Sequence, residues 1–179
     1  MTHKQQVIFC LRVKKQFPEF FYIRVNLLFG KNVVIVSAAH KLTAPPESGD
    51  VIISATCFEQ DINYKRILKN AVRLLRLGHP FIFTLAATDR KEHGTIELLP
   101  EAIPSLQELD KRGNYYRSPT EQNIREAIEI DHFFQDYKFP LNPESNGLYF
   151  FGIERDSPPL QSDYYNSIQA EVCKLQTTA

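Results

Sequence analysis

The most regular hydrophobic pattern in the chain lies at residues 61–77. At about 100° per residue, Ile67, Leu68, Ala71, Val72 and Leu75 fall on one face, and Lys65, Lys69, Arg73 and Arg76 form a stripe opposite. This predicts an amphipathic helix packed on something flat and buried, such as a sheet. Asp61 is a suitable N-cap, and Gly78 with Pro80 is a stop signal. Short apolar runs flank the helix at residues 51–53 and 81–85 (FIFTL). Unbroken runs of this length read as strands buried on both faces. Strand, helix, strand in that order is a βαβ unit, whose crossover is right-handed.

The rest of the chain is less regular. Residues 4–16 contain no Gly or Pro and predict a helix, which Phe17-Pro18 ends because the residue before proline is pushed out of the helical region. Residues 22–28 (YIRVNLL) read as a strand, and residues 33–36 as a second short apolar run. Pro45-Pro46 and Gly49 mark a loop. Ser118-Pro119-Thr120-Glu121 reads as a capping box with proline at the first helical position, opening a helix to about residue 134. Residues 138–141 and 148–153 read as strands joined by a turn at 142–147, an antiparallel hairpin. The expected organisation is one α/β domain over residues 1–156 and a polar tail over 157–179, with a short helix near 163–175.

Composition narrows the function classes. A chain of 179 residues is long enough for one domain with a real core and short for two. Basic and acidic residues balance at 21 each, so no field steers the chain toward nucleic acid or an anionic membrane. No apolar run approaches the roughly 20 residues of a membrane span. The three cysteines, Cys10, Cys57 and Cys173, lie far apart without CxxC spacing. That argues against a disulfide framework or a zinc site and for a reducing cytoplasm. No two histidines have metal-ligand spacing, and His79 and His132 read as structural.

Residues 50–95 read DVIISATCFEQDINYKRILKNAVRLLRLGHPFIFTLAATDRKEHGT. This segment is similar to the middle of a class I S-adenosylmethionine (SAM)-dependent methyltransferase of the type 11 kind. Glu59-Gln60 stands where Glu-His is usual, and Leu77-Gly78-His79 where Pro-Gly-Gly is usual. Arg90-Lys91-Glu92-His93-Gly94-Thr95 resembles an Arg-x-Glu-His-Gly-Thr motif of one bacterial branch. Tyr115-Tyr116-Arg117-Ser118 and the strand at 148–153 fit the same branch. The resemblance runs over residues 5–155. It implies a Rossmann-like methyltransferase sheet, mainly parallel with a C-terminal antiparallel hairpin and truncated at the first strand. It also implies SAM as cofactor, flanked by Ser54, Thr56 and Phe58, with Asn26 near the ribose. Glu59 and His93 would serve a small-molecule or glycan acceptor. The ordinary alternatives are a solvated acid near a helix start for Glu59 and a surface histidine for His93. Likewise, Tyr115, Tyr116 and Phe133 are either acceptor-lining or core, and the basic stripe is a solvated helix face.

Two departures bear on activity. The family's first strand leads into a glycine loop that lets the backbone approach the cofactor, and no such loop stands here. The second strand normally ends in an acid that accepts from both ribose hydroxyls, and Asn26 takes that place with a single acceptor oxygen and no charge. Val34 and Ala39 also replace a common acid and glycine. SAM binding is therefore expected to be weak or lost. The alternative to an enzyme is a catalytically inactive, methyltransferase-like binding or partner protein, and a homo-oligomer stays open. With about one strand and one helix missing at the front, residues 22–28 are expected to slide into the sheet centre and pair in parallel with residues 51–53. The helix at 4–16 would then pack beside them.

Overall fold

The computed structural model describes residues 6–8, 21–27, 29, 33–91 and 115–156. Its centre is a seven-stranded sheet in the order β2-β1-β5-β6-β9-β7, with β8 paired to β9. The parallel half is β1 (Gln6–Ile8), β2 (Phe21–Ile23), β5 (Val51–Ala55) and β6 (Pro80–Ala86). β9 (Gly147–Glu154) runs antiparallel to β6 along its full length, from Pro80↔Ile153 to Ala86↔Gly147. β7 (Phe134–Lys138) and β8 (Leu141–Asn142) pair with β9 in turn. A second, two-stranded parallel sheet joins β3 (Val25–Asn26) to β4 (Ile35–Val36). The sheet is thus mainly parallel with a C-terminal antiparallel hairpin, as the resemblance implied.

The front of the chain departs from expectation. Gln6–Ile8 lies in a strand where a helix was expected, and it is this strand that fills the inner place. It pairs in parallel with β2 on one side and with Val51 and Ile52 on the other. Residues 22–28 do not pair with residues 51–53. Their first part is β2, next to β1, and after Arg24 the chain leaves for the small sheet with β4. The physical reason is that a short apolar run without Gly or Pro carries no period of its own. Two rows of partners for its backbone then decide its state. The shortening at the front therefore falls on the connection from β1 to β2, residues 9–20, and the first strand itself is present.

The central βαβ unit forms as its pattern dictates. Helix α1 (Tyr64–Leu74) buries Ile67, Leu68, Ala71 and Val72, and Leu75 is buried just beyond its end. Gly78 takes a left-handed turn at φ 74° that only glycine adopts without cost. One member of the basic stripe is not solvated. Arg73 is 5% exposed, and its guanidinium donates to the carbonyls of Ala44 (2.7 Å) and Leu42 (3.3 Å) and to Asn70 Oδ1 (3.0 Å). Asn70 Nδ2 donates in turn to Ala39 O at 2.8 Å. The irregular segment 39–44 has carbonyls without a ladder to accept from, and α1 supplies their donors.

Helix α2 (Glu121–Ala127) starts two residues later than the sequence suggests. Thr120 is the cap, its hydroxyl accepting from Asn123 N at 3.2 Å while Asn123 Oδ1 accepts from Thr120 N at 3.2 Å. The box is therefore Thr120/Asn123 and not Ser118/Glu121. The helix breaks at Ile128, and a short α3 (Ile130–Phe133) leads into β7. The expected strand at 138–141 is interrupted at Phe139-Pro140, since Pro140 has no N–H for the ladder. The turn behaves as read: Asn142 Oδ1 accepts from Glu144 N (2.9 Å) and Ser145 N (3.3 Å). The core is the sheet face carrying Ile52, Phe81, Phe83, Leu85 and Phe150, closed by α1 and α2.

Candidate functional site

The chain order reverses between β1 and β5, because β2 lies on one side of that pair and β6 on the other. In open α/β sheets, ligands bind outside the carboxyl ends of the strands at such a reversal. The carboxyl end of β5 is Ser54-Ala55, and the chain then turns through Thr56, Cys57 and Phe58. Thr56 is exposed and sits at φ 47°, a conformation that a β-branched residue rarely adopts. Its N–H donates to Thr84 O at 2.9 Å and so locks the turn to β6. Ser54 is nearly buried at 8%. Burial, with Asp61 and Glu59 adding to it, pushes the Cys57 thiol up to about 12. It therefore stays protonated at neutral pH and is no nucleophile.

The other expected site residues do not converge here. Phe58 is 1% exposed and packs edge-on against Phe83 with ring centroids 5.1 Å apart, so it belongs to the core. Glu59 is fully buried. Its Oε1 accepts from Ala86 N at 3.2 Å, and its carbonyl accepts from Arg117 N at 2.8 Å. It ties the end of β6 to the segment that enters α2. Asn26 is exposed at the end of β3 in the small sheet. β3 continues from β2, which β1 separates from β5, a gap of roughly 10 Å at ordinary strand spacing. His93 lies outside the described residues. Among the described residues, no group of three or more His, Cys, Asp or Glu is placed to hold a metal ion.

The buried position of Glu59 has a measurable consequence. Glu59→Ala leaves Ala86 N without its acceptor and lowers the unfolding free energy by about 2 kcal/mol, whereas Glu59→Gln keeps an acceptor oxygen and loses less. Urea unfolding of the two variants reads this out. Equal stability of Glu59→Ala and the unaltered chain would free the carboxylate for another role.

Sequence reasoning missed the contribution of the hairpin to this edge. Strand β9 sets Tyr149 directly opposite Thr84, and the Tyr149 hydroxyl meets Ser145 Oγ at 3.0 Å and Asn142 Nδ2 at 3.3 Å. Ala87 N donates to Asn146 O at 3.1 Å, holding the turn against the end of β6. The signal was available in the register of the hairpin, which places whatever lies beside its turn at the carboxyl edge of β6.

The chain is similar in structure to methyltransferases. Its structure superimposes on Burkholderia thailandensis 1,6-didemethyltoxoflavin-N1-methyltransferase with a TM-score of 0.57 at 15% identity, over 86% of this chain and 72% of that one. It superimposes on Haemonchus contortus phosphoethanolamine N-methyltransferase 2 with a TM-score of 0.56 at 11% identity, over 87% of this chain and 50% of that one. The chain thus spans half the length of the Haemonchus enzyme. This chain has the class I SAM-dependent methyltransferase fold. A third match with this fold is a Haloferax volcanii putative methyltransferase in complex with the Trm112 methyltransferase activator, with a TM-score of 0.55 at 10% identity, over 84% of this chain and 83% of that one. No family model matches the chain, and no curated protein sequence matches it.

The donor set at the edge fits SAM poorly. The ribose position falls to an exposed amide, the Phe58 ring is committed to the core, and Glu59 is engaged by backbone. What remains exposed at the end of β5 is Thr56.

Proposed function

We propose that this chain is a methyltransferase-fold protein with an impaired SAM site, acting as a binding or partner protein and not as an efficient enzyme. Asn26 carries this reading. It stands at the end of the second-strand segment, exposed, with one acceptor oxygen where a ribose diol calls for a carboxylate. The absence of a glycine loop in residues 9–20 adds to it, since side chains there keep the backbone away from a cofactor. The Haloferax match in complex with an activator is in keeping with a partner role. No helix among the described residues is long and apolar enough to cross a membrane, and the sparse cysteines favour a cytoplasmic home.

The second reading, methyl transfer to a small-molecule or glycan acceptor, rests on Ser54 and Thr56 at the sheet reversal, with Thr84 and Tyr149 beside them. Methyl transfer from a sulfonium needs alignment more than chemical assistance, so hydroxyls in register at this edge are compatible with it. His93 would then act on the acceptor.

Calorimetric titration with SAM separates the two. The unaltered chain is expected to give no saturating heat at micromolar concentrations, and Asn26→Asp to recover part of the affinity. Because Asn26 is exposed, the substitution leaves the fold intact. A micromolar dissociation constant for the unaltered chain would overturn the proposal. It would also make His93→Ala the next variant, with turnover expected to fall more than SAM binding.

A further inference from the structure

The sheet has a closed face and an open one. Every helix that joins the buried core packs with Ile52, Phe81, Phe83, Leu85 and Phe150. The alternate residues of the same strands point the other way. Val51, Ile53, Ile82, Tyr149 and Ile153 are half-buried there, and Phe151 is 42% exposed. No helix among the described residues packs on these side chains. Parallel sheets are stable almost only when both faces are covered, and this row is apolar across β5, β6 and β9. The connection from β1 to β2 is tethered at the far side of the sheet, away from β6 and β9.

We infer that residues 163–175 of this chain cover the open face as an amphipathic helix. At about 100° per residue, Tyr164, Tyr165, Ile168, Val172 and Leu175 fall within an arc of roughly 100°, while Asn166, Gln169 and Lys174 lie outside it. The geometry of exit matches. Strand β9 ends at Glu154, at the edge where β6 begins, with Glu154 N donating to His79 O at 3.0 Å. Pro158-Pro159 prevents a helix from starting at once, and Ser162-Asp163 supplies a cap. A helix over residues 163–175 rises about 20 Å. Strand β6, Pro80–Ala86, extends about 23 Å. The segment therefore has the length to run back along the strands from their amino edge to the carboxyl edge and to lay its apolar arc on Ile53, Ile82 and Phe151. This inference is independent of whether SAM binds.

The chain contains no tryptophan, so Phe151→Trp makes a single reporter on the open face. In the full chain, the indole is expected to emit as a buried group and to resist acrylamide. Adding Ile168→Asp and Val172→Asp should raise the quenching constant several-fold while far-UV circular dichroism keeps its strand signal. Asp at Gln169 and Lys174, on the polar arc, should leave quenching unchanged. Should the double aspartate variant lose its strand signal, Ile168→Ala with Val172→Ala carries the same comparison. An indole as accessible as free tryptophan in the full chain would overturn the inference. So would shielding that disappears on dilution as a dimer becomes a monomer, because a second copy would then be the cover.

Discussion

Phe150→Ala lowers the free energy of unfolding by about 3–5 kcal/mol. Phe150 is fully buried in the middle of β9. Its ring stacks on Phe83 with centroids 4.7 Å apart, meets Phe134 edge-on at 5.2 Å, and lies 4.9 Å from Phe139. Phe81 and Tyr137 complete the surround at 5.9 Å and 6.4 Å. Truncation removes the hub of this cluster and leaves a cavity between β6, β7 and β9 that rings held by their own strands cannot fill. A domain of this size has about 5–15 kcal/mol in total, so the variant loses a large share of it. Gly152 shows how tightly the cluster is built. A Cβ there would lie 2.5 Å from Phe150 Cζ and 2.7 Å from Phe134 Cδ1, so Gly152→Ala is also destabilising, by overpacking. Urea denaturation followed by circular dichroism measures both. A loss below about 1 kcal/mol for Phe150→Ala would mean that the rings are not packed as a unit.

How far the sequence could be read depends on where its periods are. Helix α1 and the strands beside it were legible because five apolar positions at helical spacing and two unbroken apolar runs leave one arrangement. The hairpin turn was legible through Asn142, whose side chain closes it. Gln6–Ile8 was not, because three residues carry no period and their strand state comes from partners in β2 and β5. The same limit governs the site. The resemblance located the carboxyl edge of β5, where Ser54 and Thr56 do stand. It could not show that Phe58 turns into the core or that Glu59 is taken by Ala86 N, since both follow from how the turn after β5 packs under β6. Arg73 looked like one more solvated cation. Its partners are carbonyls about thirty residues away in sequence, which no local pattern reveals.

Stability should fall as pH rises from the acidic range toward 9, and Glu154 is the cause. This residue closes β9 at 2% exposure, and its Oε2 has no hydrogen-bond partner. Burial, with the charge of Glu47 adding to it, pushes its carboxyl up from 4.5 to about 9. The folded chain therefore keeps a proton that the unfolded chain releases above pH 4.5. A raised carboxyl pKa works against folding wherever the unfolded state is ionised: the contribution is intact below the unfolded value and is lost as pH climbs through the folded one. Between those limits the slope approaches 1.4 kcal/mol per pH unit, which amounts to about 3 kcal/mol lost by pH 7. Glu154→Gln is neutral throughout. It should gain about 3 kcal/mol over the unaltered chain at pH 7 and almost nothing at pH 4. Glu47→Gln, which removes only the neighbouring charge, should recover a smaller part. Urea midpoints of the three chains at pH 4, 7 and 9 provide the check. Parallel pH profiles for the unaltered chain and Glu154→Gln would show that Glu154 titrates as it does in solution and that the amino edge of the sheet is open to water.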